Sequence, residues 1–166
     1  SSDDSKSAPT NGEPSTTHYD LTLVNMHTLE VLPLQHAALE DGSDPVQAAH
    51  LSRFLRCRIT GAETEMARTP VRVAATLAVL HESRRIEVVS GFRSSKMNEM
   101  LRKKGRQVAR TSRHTFGQAL DFRIPGVGAR EMAREAEALH VGGIGTYPVS
   151  GFIHIDIGPD RRWRGD

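Results

Sequence analysis

The chain contains one cysteine, Cys57, so no disulfide can close within it. Its setting on an apolar helical face suits a small hydrophobe and says nothing about compartment. Long apolar runs are missing too: none approaches the roughly 18 residues needed to span a bilayer, and the opening segment has no basic-then-apolar leader, so any export signal is expected to have been removed. Charge of one sign is not in excess, with Lys and Arg totalling 22 against 20 for Asp and Glu. The basic stretch 102–113 and the arginine-rich tail therefore read as solvated faces, and no nucleic-acid partner is expected. No internal repeat is visible.

What is present fits one small globular unit. Residues 1–17 are Ser, Thr, Asp, Pro, Gly and Asn with almost no large apolar side chain, and read as a polar tether, since they cannot bury enough surface to offset the entropy of ordering. Such a tether joins a domain to an export signal or lipid anchor, or is a plain tail. Residues 18–166 then form a single domain. Tyr19, Leu21 and Leu23 alternate, and a turn at 25–28 leads to Leu29–Leu32, which predicts a β-hairpin. Asp44-Pro45-Val46-Gln47 and Thr69-Pro70 read as helix starts, the first helix burying Ala48, Leu51 and Leu55 and the second Val73, Leu77 and Leu80.

A β-branched run at 85–90 predicts a buried strand. A helix from about Ser94, with Met97, Met100 and Leu101 on its apolar side, is expected to close at Gly105. Another spans roughly 128–139 with Met132, Ala136 and Leu139 inward, and the last strand is 152–157. Strands and helices mix without regular alternation, which favours an α+β fold with a small antiparallel sheet and helices on one face.

The chemistry lies in two of these segments. In 118–124, Leu120, Phe122 and Ile124 fall on one side of a strand and Asp121 on the other; in 152–157, Ile153, Ile155 and Ile157 oppose His154 and Asp156. If both strands share a sheet, Asp121, His154 and Asp156 converge on the face away from the core, with His114 folded back over them by the turn that Gly117 permits. Two imidazoles and a carboxylate suit Zn2+ and leave a fourth tetrahedral position open.

Ser112-x-His114-x-x-Gly117-x-Ala119-x-Asp121 resembles the signature of the M15 peptidases, the zinc D-alanyl-D-alanine carboxypeptidases and endopeptidases of bacterial peptidoglycan. Ser90-Gly91-Phe92-Arg93-Ser94 is similar to a second family segment, and Gly142–Pro148 with Gly151–Gly158 resembles the YcbK-like (DUF882) branch. The resemblance implies a hedgehog/D-Ala-D-Ala peptidase-like fold and a zinc metallopeptidase of the cell wall. His114, Asp121 and His154 would be the metal ligands, with Arg93 near the substrate's carboxylate or scissile carbonyl.

Relatives in that family commonly carry a carboxylate three residues before the last histidine, where this chain has Gly151. Asp156 then stands as either the general base or a partner that orients a ligand imidazole. Ser112 and Tyr147 are candidate substrate contacts, and Trp163 a candidate groove wall. The expected partners are peptidoglycan peptides, the expected place is the periplasm or cell envelope, and the expected state is a monomer. A peptidoglycan-binding scaffold that retains structural zinc without turnover is the alternative.

Overall fold

The computed structural model describes residues 20–166 except 37, 38, 40–43, 107 and 110. The segment 1–17, Tyr19 and His18 lie outside the described residues. Strand β1 (Asp20–Asn25) and β2 (Val31–Gln35) form the expected antiparallel hairpin, with Leu21 opposite Leu34 and Leu23 opposite Leu32. Helix α1 (Pro45–Phe54) starts at Asp44, whose carboxylate accepts from the amides of Val46 and Gln47, two of the donors a helix start leaves unmatched.

Its inner face is Leu51, Phe54 and Leu55, whereas Ala48 is exposed. Cys57 lies past the end of that helix, buried against Met97 and Ser94, not on a helical face. Helix α2 (Arg68–Leu80) begins two residues earlier than Thr69-Pro70 implies; Ala67 takes the cap position without a side-chain bond, and Pro70 falls inside the first turn, where its missing amide costs nothing. Val71, Val73, Ala74, Leu77 and Ala78 are buried while Leu80 points outward, because the helix ends there and His81 caps it.

Strand β3 (Arg85–Ser90), α3 (Ser95–Lys103), a 3-10 turn (Arg113–Phe116), β4 (Ala119–Arg123), α4 (Ala129–Ala138), β5 (Gly143–Tyr147), β6 (Phe152–Asp156) and β7 (Arg161–Arg164) complete the chain. Ser94 caps α3 through the Met97 amide, and Gly105 closes it at φ +71°. Leu139, expected inside, is partly exposed just past α4.

The fold is α+β. Seven strands form one sheet in the order β2-β1-β3-β4-β6-β5-β7. Its centre, β3-β4-β6-β5, is antiparallel, but β1 pairs β3 and β5 pairs β7 in parallel, so the sheet is mixed, not wholly antiparallel as expected. Helices α2 and α4 pack on it. Leu120 and Phe122 of β4, Ile153 and Ile155 of β6, and Ile86 and Val88 of β3 meet Val73, Leu77, Met132 and Ala136 in a continuous core. Burying each large side chain there contributes roughly 1.5–3 kcal/mol. No helix among the described residues is long and apolar enough to cross a membrane.

Candidate metal centre

Register positions the centre. Strand β6 runs antiparallel to β4 with Leu120 opposite Ile155 and Phe122 opposite Ile153, so the intervening pair, Asp121 opposite His154, stands on the other face. His114 arrives from the 3-10 turn. Ser112 caps that turn, its hydroxyl accepting from the His114 amide at 3.2 Å. Gly117 then adopts φ +66°, and a Cβ there would lie 2.8 Å from the Glu65 carbonyl oxygen, so both the backbone angle and the space demand glycine.

The three side chains meet through one atom each. Asp121 Oδ1 lies 3.0 Å from His114 Nε2 and 2.8 Å from His154 Nδ1, and the two nitrogens are 3.1 Å apart. Outer contacts assign the lone pairs. The His114 Nδ1–H donates to the Gly91 carbonyl at 2.7 Å, and the His154 Nε2–H donates to Asp156 Oδ2 at 2.7 Å. With those outer bonds made, each imidazole in its neutral form turns an unprotonated nitrogen toward the carboxylate oxygen. Three donor atoms that converge in this way suit a bound metal ion, which would take the place of the proton that His154 otherwise holds.

Ligands of a tetrahedral ion at about 2.0–2.1 Å sit about 3.3–3.4 Å apart, so the triangle need open by only a few tenths of an ångström to hold one. The residues present fit a metal. His114, Asp121 and His154 are all buried, as a site sheltered from competing water should be.

A surrounding layer fixes these groups. Asp156 Oδ1 accepts from the amides of Gly143 and Gly158, both at 2.9 Å, while Oδ2 holds His154. Both of its oxygens are thus occupied. On the other side, the pairing of β3 with β4 shifts between Val88 and Ser90, bringing Ser90 opposite Asp121. Arg93 then donates from Nε to the Ser90 hydroxyl at 3.1 Å and from Nη2 to Asp121 Oδ2 at 3.3 Å. One Asp121 oxygen faces the imidazoles and the other is anchored by the guanidinium.

Trp163 of β7 lies over Gly145, where a Cβ would come within 2.5 Å of the indole, and stands 4.9 Å from the His154 ring. The indole N–H donates to the Tyr147 hydroxyl at 3.0 Å, and Tyr147 stacks on Phe152.

Charge and burial compete throughout. Burial depresses the His114 pKa, against the pull of Asp121. Burial opposes charge on His154 as well, but hydrogen bonds to Asp121 and Asp156 outweigh it and raise that pKa to about 9. Burial would raise Asp121, yet the neighbouring imidazoles hold it well below the usual carboxylate range. Asp156, in spite of burial, is lowered to about 2 by His154 and its two backbone donors. Burial raises the Tyr147 phenol, which stays protonated at neutral pH.

The centre opens into a cavity of about 270 Å3 lined by Arg93, Ser112, His114, Tyr147, His154 and Trp163 among others. The family described as peptidoglycan L,D-endopeptidase MepK, an M15 peptidase family, matches residues 13–163 of this sequence. The chain belongs to that family.

Its resemblance to individual MepK proteins varies in extent. It is 50% identical over 80 residues to the probable peptidoglycan L,D-endopeptidase MepK of Haemophilus influenzae, a match covering 48% of this chain and 43% of that protein. Over 149 residues it is 36% identical to the peptidoglycan L,D-endopeptidase MepK of Escherichia coli, covering 86% of this chain and 79% of that protein, with the same figures for its Shigella flexneri counterpart. No solved structure matches significantly.

In this MepK-family chain the expected ligands, together with Arg93, Ser112, Tyr147 and Asp156, all border one cavity. Sequence reasoning missed Ser90 as the Arg93 anchor, and Gly143 and Gly145 as the space for Asp156 and Trp163. The glycines of Gly142-Gly143-Ile144-Gly145 were the available signal, because glycine inside a strand marks a close approach.

Proposed function

We propose that the chain is a zinc-dependent peptidoglycan endopeptidase that hydrolyses an L,D amide bond in a stem peptide or crosslink. The convergence of three lone pairs, from two imidazoles and a carboxylate, on one point of an open cavity carries this reading. Imidazole and carboxylate donors in a three-ligand set suit zinc. A structural zinc would call for four protein ligands in a closed shell, so the open cavity argues against the scaffold alternative.

A zinc ion held by His114, Asp121 and His154 would supply Lewis acidity toward the scissile carbonyl and lower the pKa of a water to about 7. The chain's own groups do the rest. Arg93, held by Ser90 and Asp121, presents a fixed positive charge to the developing oxyanion. The Tyr147 oxygen accepts from Trp163, which leaves its O–H free to donate into the cavity. Ser112 holds the His114 turn at the cavity wall. Asp156 acts by keeping His154 in the tautomer that faces the metal: Oδ1 takes two backbone amides, and Oδ2 binds the imidazole through the nitrogen remote from Asp121.

A peptidoglycan substrate supports a location outside the cytoplasm, in the periplasm or cell envelope. All the named groups come from one chain, so a monomer suffices. The decisive test is a mass-spectrometric digest of purified peptidoglycan with metal-loaded protein, chelated protein and His154→Ala. New peptide ends are expected from the loaded wild type alone; equal product from chelated protein would sink the metal-dependent reading.

A further inference from the structure

A second cavity, about 490 Å3, opens on the far side of Arg93 and is lined there by His27, Arg58, Ser90, Arg106 and Phe152. It shares Arg93, Val108, Asp121 and Tyr147 with the cavity over the imidazoles. The candidate metal centre therefore lies where two arms meet, one walled by Trp163 and Arg161 and the other reaching toward Arg58. An endopeptidase needs chain on both sides of the bond it cuts. Two arms that join at the reacting centre meet that need.

The second arm has a cationic end carried on a braced turn. The turn carrying Arg58 is closed by the Gly61 amide bonding the Cys57 carbonyl and the Cys57 amide bonding the Ala62 carbonyl. Its inner side is anchored by the Cys57 thiol, buried against Ser94 and Met97. The same segment is tied to the Arg93 loop, because the Phe92 amide donates to the Leu55 carbonyl at 2.8 Å, and Gly91 packs so closely that a Cβ would fall 2.8 Å from Leu55 Cβ. The backbone segments that carry Arg58 and Arg93 are thus held in fixed relation beside one cavity.

Most arginines nearby in sequence are matched: Arg53 with Glu63, and Arg56 with Glu30. Arg58 is exposed and has no carboxylate partner among the described residues, and its charge bears on both His27 and Arg93. Asp121 is already engaged by His114, His154 and Arg93, and the other acid along this arm is Asp166, beside Ser150. Asp121 thus balances Arg93, and Arg58 stands at the cavity as a guanidinium without a carboxylate partner among the described residues, which fits an anionic guest such as a planar carboxylate.

We propose that this arm binds a carboxylate-bearing peptide segment of the substrate, with Arg58 as the residue that selects for the free carboxylate. The inference rests on the peptidase reading and deepens it: the substrate is an acidic peptide engaged on both sides of the metal.

The test compares a crosslinked stem-peptide dimer with the same dimer amidated at its free carboxylates, on full-length wild type, Arg58→Ala, Arg58→Glu and Arg58→Lys. Both turnover and calorimetric binding are measured. Wild type should favour the carboxylate dimer by about tenfold in KM and Kd, an amount equal to one charge-assisted contact. That ratio should fall to about one in Arg58→Ala, invert in Arg58→Glu and be partly kept by Arg58→Lys, with kcat on the carboxylate dimer changing far less than KM.

A ratio that Arg58→Glu leaves within twofold of the wild-type value would overturn the proposal. Arg58-dependent binding without turnover would leave the arm in place and sink the hydrolytic reading. Turnover without carboxylate preference would do the reverse, and absence of both binding and turnover would overturn both.

Discussion

Asp156→Asn separates two roles that the position of this carboxylate near a metal site invites. The substitution is isosteric, and the Asn carbonyl can still accept from the Gly143 and Gly158 amides that now bond Oδ1 at 2.9 Å. Its NH2, however, then faces His154 Nε2, where Asp156 now accepts at 2.7 Å. An amide donor there needs Nε2 as an acceptor, which moves the ring proton to Nδ1, the atom 2.8 Å from Asp121 Oδ1. The lone pair meant for the metal is lost.

Removing an outer partner of this kind costs metal affinity about 10–100-fold, or about 1.4–2.7 kcal/mol. We expect Asp156→Asn to fall at the upper end and Asp156→Ala at the lower, since alanine leaves the tautomer free to reset. Competition with a chromophoric chelator at pH 7.5 measures this directly. If Asp156→Asn binds zinc within twofold of wild type yet loses turnover, the orienting role is wrong and a general-base role is restored.

Three further outcomes follow from the same geometry. The His154 pKa, raised from 6.5 to about 9, means that the metal must displace a proton below that pH; apparent zinc affinity should weaken about tenfold for each unit of acidification under pH 9, and a flat profile between pH 6 and 8 would contradict it. In the metal-free protein the sign is opposite: stability contributed by the His154 charge is fully present below pH 6.5 and is lost as pH rises through 9, which thermal melts with chelator present would follow. Gly143→Ala places a Cβ 2.4 Å from Asp156 Oδ2, a buried clash expected to cost about 1–3 kcal/mol and to weaken zinc binding together with the melting temperature; unchanged values for both would refute the close packing.

The ligand geometry was legible because period-two alternation is a strong signal in short strands. Leu120, Phe122, Ile153 and Ile155 identify the buried face, and Asp121 and His154 follow from it by parity. Other features left no such trace. Strand β5 carries glycine at 143 and 145 because Asp156 and Trp163 occupy the space above them, so the demand that shapes the site also removes the apolar pattern that reveals a strand.

Strand β7, Arg161–Arg164, joins the sheet through backbone pairing to β5, and its side chains read only as a charged tail. The shift at Val88/Ser90 that aims Arg93 is a tertiary event without a local signature. Helical spacing predicts Ala48, Leu80 and Leu139 inward, but all three are exposed, Leu80 and Leu139 at the C-terminal ends of their helices.

The alternation of β6 has a consequence for how errors are detected. Four of its five residues serve two clients at once, with Ile153 and Ile155 for the core and His154 and Asp156 for the candidate metal centre. A slip of one position against β4 would push a histidine and an aspartate into hydrocarbon while presenting isoleucine to the ion. No partly correct register is available, so uptake of the metal certifies that the centre of the sheet has been assembled correctly.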